Sequence, residues 1–477
     1  MLLVHPVHEV LRELPLLIVA VVFGSTTGNQ LWTVAVLLVI AAVGVARWFT
    51  TTYRIEPDPE AGRLQLRSGV LRRKALSVPR NRIRSVQTEA RLLHRLLGLT
   101  VLRVSTGQQA TGDDVFELDA VDSGQVPRLR AILLARAAQP PAVPAAPAMV
   151  LARWRPSWLR YSPLSLSGLV MIAAAVGAVY QSGVWAALQD SRVGRSWLAT
   201  VERFGPSTAV ALIGVALLVA SVLLAVLRSL LTYGNLVLSR SSGSAGDVLH
   251  LSYGLLRVRE HSYDMRRLRG GTLRRPLLVR LLGGARLDAA MTGVTGAGES
   301  SVLLPACPAA TAESVLTGLV GDAGAVSGSL RSHGPAAARR RWTRAMVLPA
   351  ASAAGLAAAA ATVGAAAWWW SAWAAVTLCC ALLAVDRVRA LGHRVDQDWL
   401  VARTGSFERR RYCIATAGIV GWTVRQSWFQ RRVGVATLVA ATAAGVKAYR
   451  VLDVPEAWAW SVAAQASPWV ADSVWVT

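Results

Sequence analysis

Apolar runs that arrive in pairs limit this chain more than anything else in its sequence. Residues 11–27 and 31–49, 164–188 and 207–231, and 345–367 and 368–385 are largely free of charge. A helix needs about 20 such residues to cross a ~30 Å hydrocarbon core. Gly28-Asn29-Gln30 leaves room only for a tight turn in the first pair. Asp190, Arg192, Arg195, Glu202 and Arg203 fill the connection in the second, and no charge divides the third. Six spans in three hairpins are expected. Composition agrees: 53% of residues are apolar and 16% charged, against about 45–50% and ~25% in soluble chains. A wholly soluble fold is excluded. Ahead of the first run, Glu9 and Glu13 outweigh Arg12, the wrong sign for a cleaved signal, so that run reads as a retained anchor. No run carries a charge near its centre, which argues against an ion or proton pathway.

A hairpin returns the chain to the side it left, so all three polar segments share one side. Residues 47–163 hold 19 Lys/Arg against 9 Asp/Glu, residues 228–344 hold 16 against 7, and residues 386–477 hold 12 against 7. Excess Lys and Arg beside spans marks the cytoplasmic side. The expected location is the cell inner membrane, multi-pass, with the N-terminus and the three polar segments cytoplasmic. This asymmetry accounts for much of the net charge of +24 without any ligand. Cys379 and Cys380 lie inside an apolar run and Cys307 and Cys413 stand alone, a pattern with neither a disulfide framework nor zinc-ligand spacing.

Each hairpin is followed by the same unit. Gly69 to Gly98, Gly254 to Gly283 and Gly405 to Gly434 are each 29 residues apart. Arg95, Arg280 and Arg431 precede the second glycine by three positions, and Leu102, Leu287 and Leu438 follow it by four. Three copies of one hairpin-plus-module unit explain this alignment.

Within the first copy, residues 63–67 alternate polar and apolar, Ser68-Gly69 turns, and residues 70–78 resume the strand until Pro79. Residues 83–88, 99–105 and 115–118 read as further strands. Residues 92–97 suffice for one or two helical turns, ended by Gly98 at positive φ. Closing helices are expected over 123–138, 308–320 and 455–465. The fold class is therefore an α+β membrane protein. Three transmembrane hairpins (11–49, 164–231, 345–385) each precede a pleckstrin-homology-like (PH-like) bent sheet or open barrel capped by a C-terminal helix (50–138, 232–320, 386–466). Residues 139–163 and 321–344 read as linkers and 467–477 as a tail. In the third copy, alanine-rich residues 435–446 stand where alternating strand residues belong, so that module is expected to be degenerate.

The Leu-x-Leu-x-Ser-Gly-Val-Leu stretch (64–71), Val-Pro-x-x-x-Ile (78–83) and Arg-Leu-Leu-Gly-Leu (95–99), behind a two-span anchor, resemble the bacterial PH-domain membrane family of the YdbS/YdbT type. The likeness runs over about residues 14–466. It implies the architecture and no defined activity.

A catalyst needs a nucleophile with a base, paired carboxylates or a metal cluster. His94 lies near Arg91 and Arg95, but its counterparts are Val279 and Gln430. His5, His8 and Glu9 lack a fourth ligand for a metal, and Asp396 and Asp398 have no partner acid. The glycine-rich stretch 293–298 lacks the Gly-Lys-Ser/Thr ending of a phosphate loop. No catalytic residue, metal or cofactor is predicted. Basic groups remain: Arg72, Arg73, Lys74, Arg80, Arg82 and Arg84 in the first copy, Arg257, Arg259, Arg266, Arg267 and Arg269 in the second, and Arg409, Arg410 and Arg411 in the third. Held against an anionic leaflet, each can add about 1 kcal/mol of attraction. The alternative is a solvated face that only enforces topology. Nucleic acid is not expected as a partner, because no aromatics interleave with these arginines in the first two copies. Trp154, Trp158 and Tyr161, mixed with Arg153, Arg155 and Arg160, read as interfacial anchors. The expected function is non-enzymatic binding or scaffolding at the inner leaflet, in envelope maintenance or stress. Its expected partners are acidic lipid and a protein, such as another membrane protein of the same family. A transporter is the alternative, and an enzyme acting on lipid-linked substrates ranks third.

Overall fold

Strands are stabilised by pairing along their edges, and here two of the pairings join neighbouring copies. The structure, a computed structural model, describes short segments between residues 52 and 129, and then residues 149–164, 206–243, 246–292, 301–362 and 366–472. The first copy supplies β1 (Thr52–Ile55), β2 (Arg63–Ser68), β3 (Lys74–Pro79), β4 (Ser85–Ala90), β5 (Leu99–Ser105) and β6 (Phe116–Asp122). The second supplies β7 (Met149–Arg153), α1 (Pro206–Tyr233), β8 (Val237–Gly243), β9 (Gly246–Tyr253), β10 (Val258–Asp264), β11 (Leu268–Pro276), α2 (Leu277–Leu281), β12 (Gly284–Met291), β13 (Ser301–Pro308), α3 (Ala309–Val320) and α4 (Ala323–Ser327). The third supplies α5 (Gly334–Thr362), α6 (Ala367–Ala390), β14 (Gly392–Val395), β15 (Trp399–Thr404), β16 (Glu408–Ala415), β17 (Ile419–Arg425), α7 (Trp428–Arg431), β18 (Val435–Thr442), β19 (Ala448–Pro455) and α8 (Glu456–Ala466).

Among the described residues, α1, α5 and α6 are long and apolar enough to cross a membrane. The expected spans at 11–27, 31–49 and 164–188 lie outside the described residues. Helices α5 and α6 pack together, with the Trp373 indole donating to the Pro349 carbonyl at 3.0 Å. Both ends of this hairpin are held by β modules. Arg340 near its start pairs with Asp453 of β19, and Asp386 near its end pairs with Arg280 and Arg409.

The strands form four antiparallel sheets, in the orders β1-β2-β3, β6-β5-β4-β10-β9-β8-β7, β13-β12-β11-β16-β15-β14 and β17-β18-β19. The two larger sheets cross copy boundaries: β10 pairs with β4 and β16 with β11. Each module therefore folds from two half-sheets, and where a neighbouring copy is present the half-sheet continues into it. The cores interlock in the same way. Leu400 and Ala402 of β15 point into the third module's core while Val401 between them points into the second's, and Ala289 and Ala290 of β12 divide likewise. That division follows from the two-residue period of a strand. A sheet covered on both faces has no use for a polar face, which explains why these strands alternate less clearly than a one-sided sheet.

Helix α3 closes the second module through Ala312, Val315, Leu316 and Leu319, the spacing of one helical face. Helix α8 closes the third through Ala459, Val462, Ala463 and Ala466. Three sequence expectations change. The aromatics Trp158 and Tyr161 are buried in protein, not set as anchors in the headgroup layer. Trp158 joins the second core, and Tyr161 fills the space beside Gly284, where any Cβ would lie 2.5 Å from its ring. Residues 149–153, inside the expected linker, form β7 on the edge of the seven-stranded sheet. Residues 435–442 of the alanine-rich third-copy segment form the strand β18, with Ala436 and Ala440 fully buried and Ala440 set in the third core beside Trp422, Tyr449 and α8. Small side chains suit that strand because its neighbours are large.

Candidate functional site at the feet of the spans

In the second copy the tight turn after the repeated glycine lies against the end of the apolar helix α1. Gly254 has φ of 111°, and a Cβ there would sit 2.0 Å from the Arg257 carbonyl; Gly405 has φ of 94° with the Glu408 carbonyl at 2.1 Å. Only glycine fits such a turn. The Gly254 amide donates to the Gly234 carbonyl at 2.8 Å and the Leu255 amide to Leu231 at 3.1 Å, which fixes this turn to the last turn of α1. The third-copy turn is tied in through the Leu277 amide, which donates to the Phe407 carbonyl at 2.6 Å. Gly98, Gly283 and Gly434 have φ of 65°, 72° and 68°; Gly283 and Gly434 follow the short helices α2 and α7, as the spacing predicted, and the expected helix over 92–97 lies largely outside the described residues.

Around these turns the exposed side chains are apolar. Leu255 and Leu256 on the turn, Leu278 and Leu281 on α2, Phe407, and Trp428 and Phe429 on α7 are all exposed. Arg432 stacks over the Trp428 ring at 3.9 Å. Sequence reasoning passed over these positions. For Leu255 and Leu256 the signal was an apolar pair directly after a turn glycine, where a soluble loop would carry polar residues.

The predicted basic residues divide into two groups along β10. Arg257 and Arg259 lie at the end near the span, and Arg266, Arg267 and Arg269 beyond the other end, with the five strand residues 260–264 between the groups at about 3.3 Å each. Arg257 and Arg259 converge on the buried Glu89 of β4, which Arg103 also reaches at 3.7 Å. Burial pushes the Glu89 carboxyl up, but the hydrogen bond and charge of Arg257, with Arg103 and Arg259, outweigh it and hold the group below the ordinary carboxylate range. Arg266 and Arg267 pair with Asp264, and the Arg269 stem packs on Gly418. In the third copy Arg409 binds Asp386 at 2.5 Å, Arg410 pairs with Glu408, and buried Arg411 donates to the Ala325 and Gly328 carbonyls. Lys74 opens β3, and Arg72, Arg73, Arg80, Arg82 and Arg84 lie outside the described residues. Several of the basic side chains thus serve the joints between copies, a role whose only sequence trace is the scattered acids Glu89, Asp386 and Glu408.

Among the described residues no group of three His, Cys, Asp or Glu is placed to hold a metal. No curated protein and no solved structure matches the chain. The sequence model for the bacterial PH domain matches residues 11–137 and 345–464, the first and third hairpin-plus-module units and more than half of the chain. By that match, and with the modules and apolar helices just described, the chain belongs to the bacterial PH domain family.

Proposed function

We propose that this protein is a non-enzymatic scaffold whose PH-like modules rest on the inner leaflet of the cell membrane and hold acidic lipid headgroups. The carrying observation is the attachment of the Gly254-Leu255 turn to the last turn of α1. An exposed apolar rim with arginines beside it, kept at the level where a span ends, favours a water–lipid boundary, where apolar bodies and basic tips are both accommodated. The span-side arginines supply the attraction to anionic headgroups. The far group beyond β10 stands too distant to share one flat surface with them. The excess of Lys and Arg beside the spans supports a cytoplasmic setting for all three modules.

The first copy offers the test with least structural damage, because Arg72 and Arg73 follow its turn at the positions of Arg257 and Val258. In full-length protein purified in nanodiscs that contain phosphatidylglycerol, Arg72→Glu with Arg73→Glu should reduce the anionic lipids retained in native mass spectrometry, without changing retention of phosphatidylcholine. Equal retention of both lipids before and after the change would remove the lipid reading.

A further inference from the structure

The two joints between copies share one register. Counted from the first repeat glycine of its own copy, Val258 lies 4 positions on and its partner Ala90 lies 21; Ile414 lies 9 on and its partner Gly270 lies 16. Both pairs total 25, so one rule of pairing built both joints. The rule leaves two strands unused. β3 is the first copy's counterpart of β10 and β16, and β17 is the third copy's counterpart of β4 and β11. Among the described residues both are sheet edges. Positions that the joints bury lie open on β17: Thr272 of β11 and Glu89 of β4 are 3% and 7% exposed, while their counterparts Thr423 and Arg425 are exposed.

The repeated arginine shows the same gap. Arg95 donates to the Leu255 carbonyl of the second copy at 3.3 Å, and Arg280 to Asp386 of the third at 3.1 Å. Arg431 is exposed, with no side-chain partner among the described residues.

We propose that β17 of one chain adds to β3 of a second copy of this chain, antiparallel and in the register of the internal joints, giving a head-to-tail row of modules along the membrane. That register sets Arg425 opposite Lys74, Val424 opposite Ala75, Thr423 opposite Leu76 and Trp422 opposite Ser77. Pro79 falls one position beyond the last residue paired in either internal joint, so its missing N–H costs no ladder bond. A second copy is the occupant that fits, because the two open edges are complementary in register and copy-to-copy pairing is already made twice within the chain. Anchoring both edges to one membrane would raise their effective concentration. The contact is heterologous, so it propagates as a row or closes as a ring.

One feature opposes it. Arg259 faces Glu89 in the first joint, and in the second Arg274 and Arg410 are flanked by Asp288 and Glu408, whereas Arg425 and Lys74 are like charges. Acidic headgroups at the foot of the spans would offset them, and that clause alone rests on the lipid reading above.

The test uses full-length chains with Cys379→Ala and Cys380→Ala, one tagged chain carrying Lys74→Cys and a second, differently tagged, carrying Arg425→Cys. They are co-expressed and treated in membranes with a short thiosulfonate bridge, since facing Cβ atoms in a ladder lie about 5 Å apart. A dimer bearing both tags is expected, absent when either chain is expressed alone. It should be lost when Val424→Cys, on the other face of the strand, replaces Arg425→Cys, and weakened by Arg431→Ala in the β17-donating chain. Leu76→Cys with Thr423→Cys is a second facing pair if either first variant fails to fold. Lys74→Cys and Arg425→Cys remove the like charges, so a failure here is distinct from a failure of lipid binding. Absence of the mixed dimer with both facing pairs, when each chain elutes as a single folded species, overturns the proposal. Dimers between identical cysteine chains, or equal bridging through Val424→Cys, overturn it too.

Discussion

Asp386, near the foot of α6, accepts from Arg280 of the second module at 3.1 Å and from Arg409 of the third at 2.5 Å. One carboxylate thus ties a span to two β modules, through an arginine that recurs in every copy. All three side chains are about four-fifths buried, so losing the acid leaves two guanidinium groups facing each other with little water between. Asp386→Ala is expected to cost about 1.5–3 kcal/mol, the range for hydrogen bonds to charged groups, and Asp386→Asn to lie between. Thermal unfolding of the detergent-solubilised full chain would show the order; equal midpoints for wild type and Asp386→Ala would refute it.

Asp453 repeats the arrangement at the other end of the hairpin under stricter confinement. It is 1% exposed, has φ of 55°, and receives Arg340 and Arg341 at 2.5 Å each and Gln430 at 3.0 Å. Left-handed backbone suits Asn nearly as well as Asp, so Asp453→Asn isolates the charge while Asp453→Ala adds backbone strain. Removing one member of a buried ion pair costs about 3–5 kcal/mol. Asp453→Asn should fall below that range and Asp453→Ala within or above it. Proteolysis at the start of α5 is the sensitive measurement, since the lost contacts hold that segment to β19.

The turn glycines make a sharper forecast. A Cβ at Gly254 or Gly405 would lie about 2 Å from a carbonyl oxygen, far inside van der Waals contact, and residues forced into unfavourable backbone conformations cost about 1–3 kcal/mol each. Gly405→Ala should displace the Phe407 carbonyl from the Leu277 amide and so loosen the second module from the third. Gly283→Ala also requires left-handed backbone but meets no atom within 4 Å, and should cost less. Hydrogen exchange at the Leu277 amide distinguishes them: fast in Gly405→Ala and slow in Gly283→Ala.

These glycines were legible because spacing alone carries them; a residue that must adopt positive φ at a fixed distance from another leaves the same mark in every copy. The closing helices α3 and α8 were legible for a like reason, as the buried stripe Ala312, Val315, Leu316 and Leu319 shows, and the one expected over 123–138 lies largely outside the described residues. Strand partners were not. Alternation tells which face of β16 is buried but not whose edge it joins, and nothing local in Arg409–Cys413 points to the facing Gly271–Arg275 a whole copy earlier. Trp158 and Tyr161 misled because an aromatic-basic segment beside a span looks the same whether its rings enter lipid or a protein core. The arginines misled differently: the acid that Arg257 and Arg259 share, Glu89, lies a whole copy earlier, so that pair looked unpaired along the chain.

Acid should open the third module first along the seam between residue 333 and β14. The Nδ1–H of buried His333 donates to the Leu452 carbonyl at 2.8 Å, so its Nε2 must accept from the Nδ1–H of His393 at 2.9 Å. A single proton leaves the chain intact, because a protonated His393 still donates its Nδ1–H to the His333 Nε2, but it places a charge in the buried seam, and a second proton sets N–H against N–H. Burial, then the neighbouring His333 ring and Arg331, push the His393 pKa from 6.5 down to about 4, and burial lowers His333 as well. The unfolded chain binds protons near pH 6.5 and the folded one only near 4. Stability is therefore full above about pH 6.5, falls as pH drops through that window, and levels off below it. The loss for His393 is on the order of 3 kcal/mol. His261, stacked between Tyr253 and Tyr263 in the first joint and also lowered to about 4, adds a loss in the same window. His393→Gln keeps a donor for His333 and cannot titrate, so it should flatten the pH dependence of the unfolding midpoint between pH 6.5 and about 4 relative to wild type, while leaving the His261 contribution in place. An identical slope in both proteins would mean that the His333–His393 seam does not sense acid.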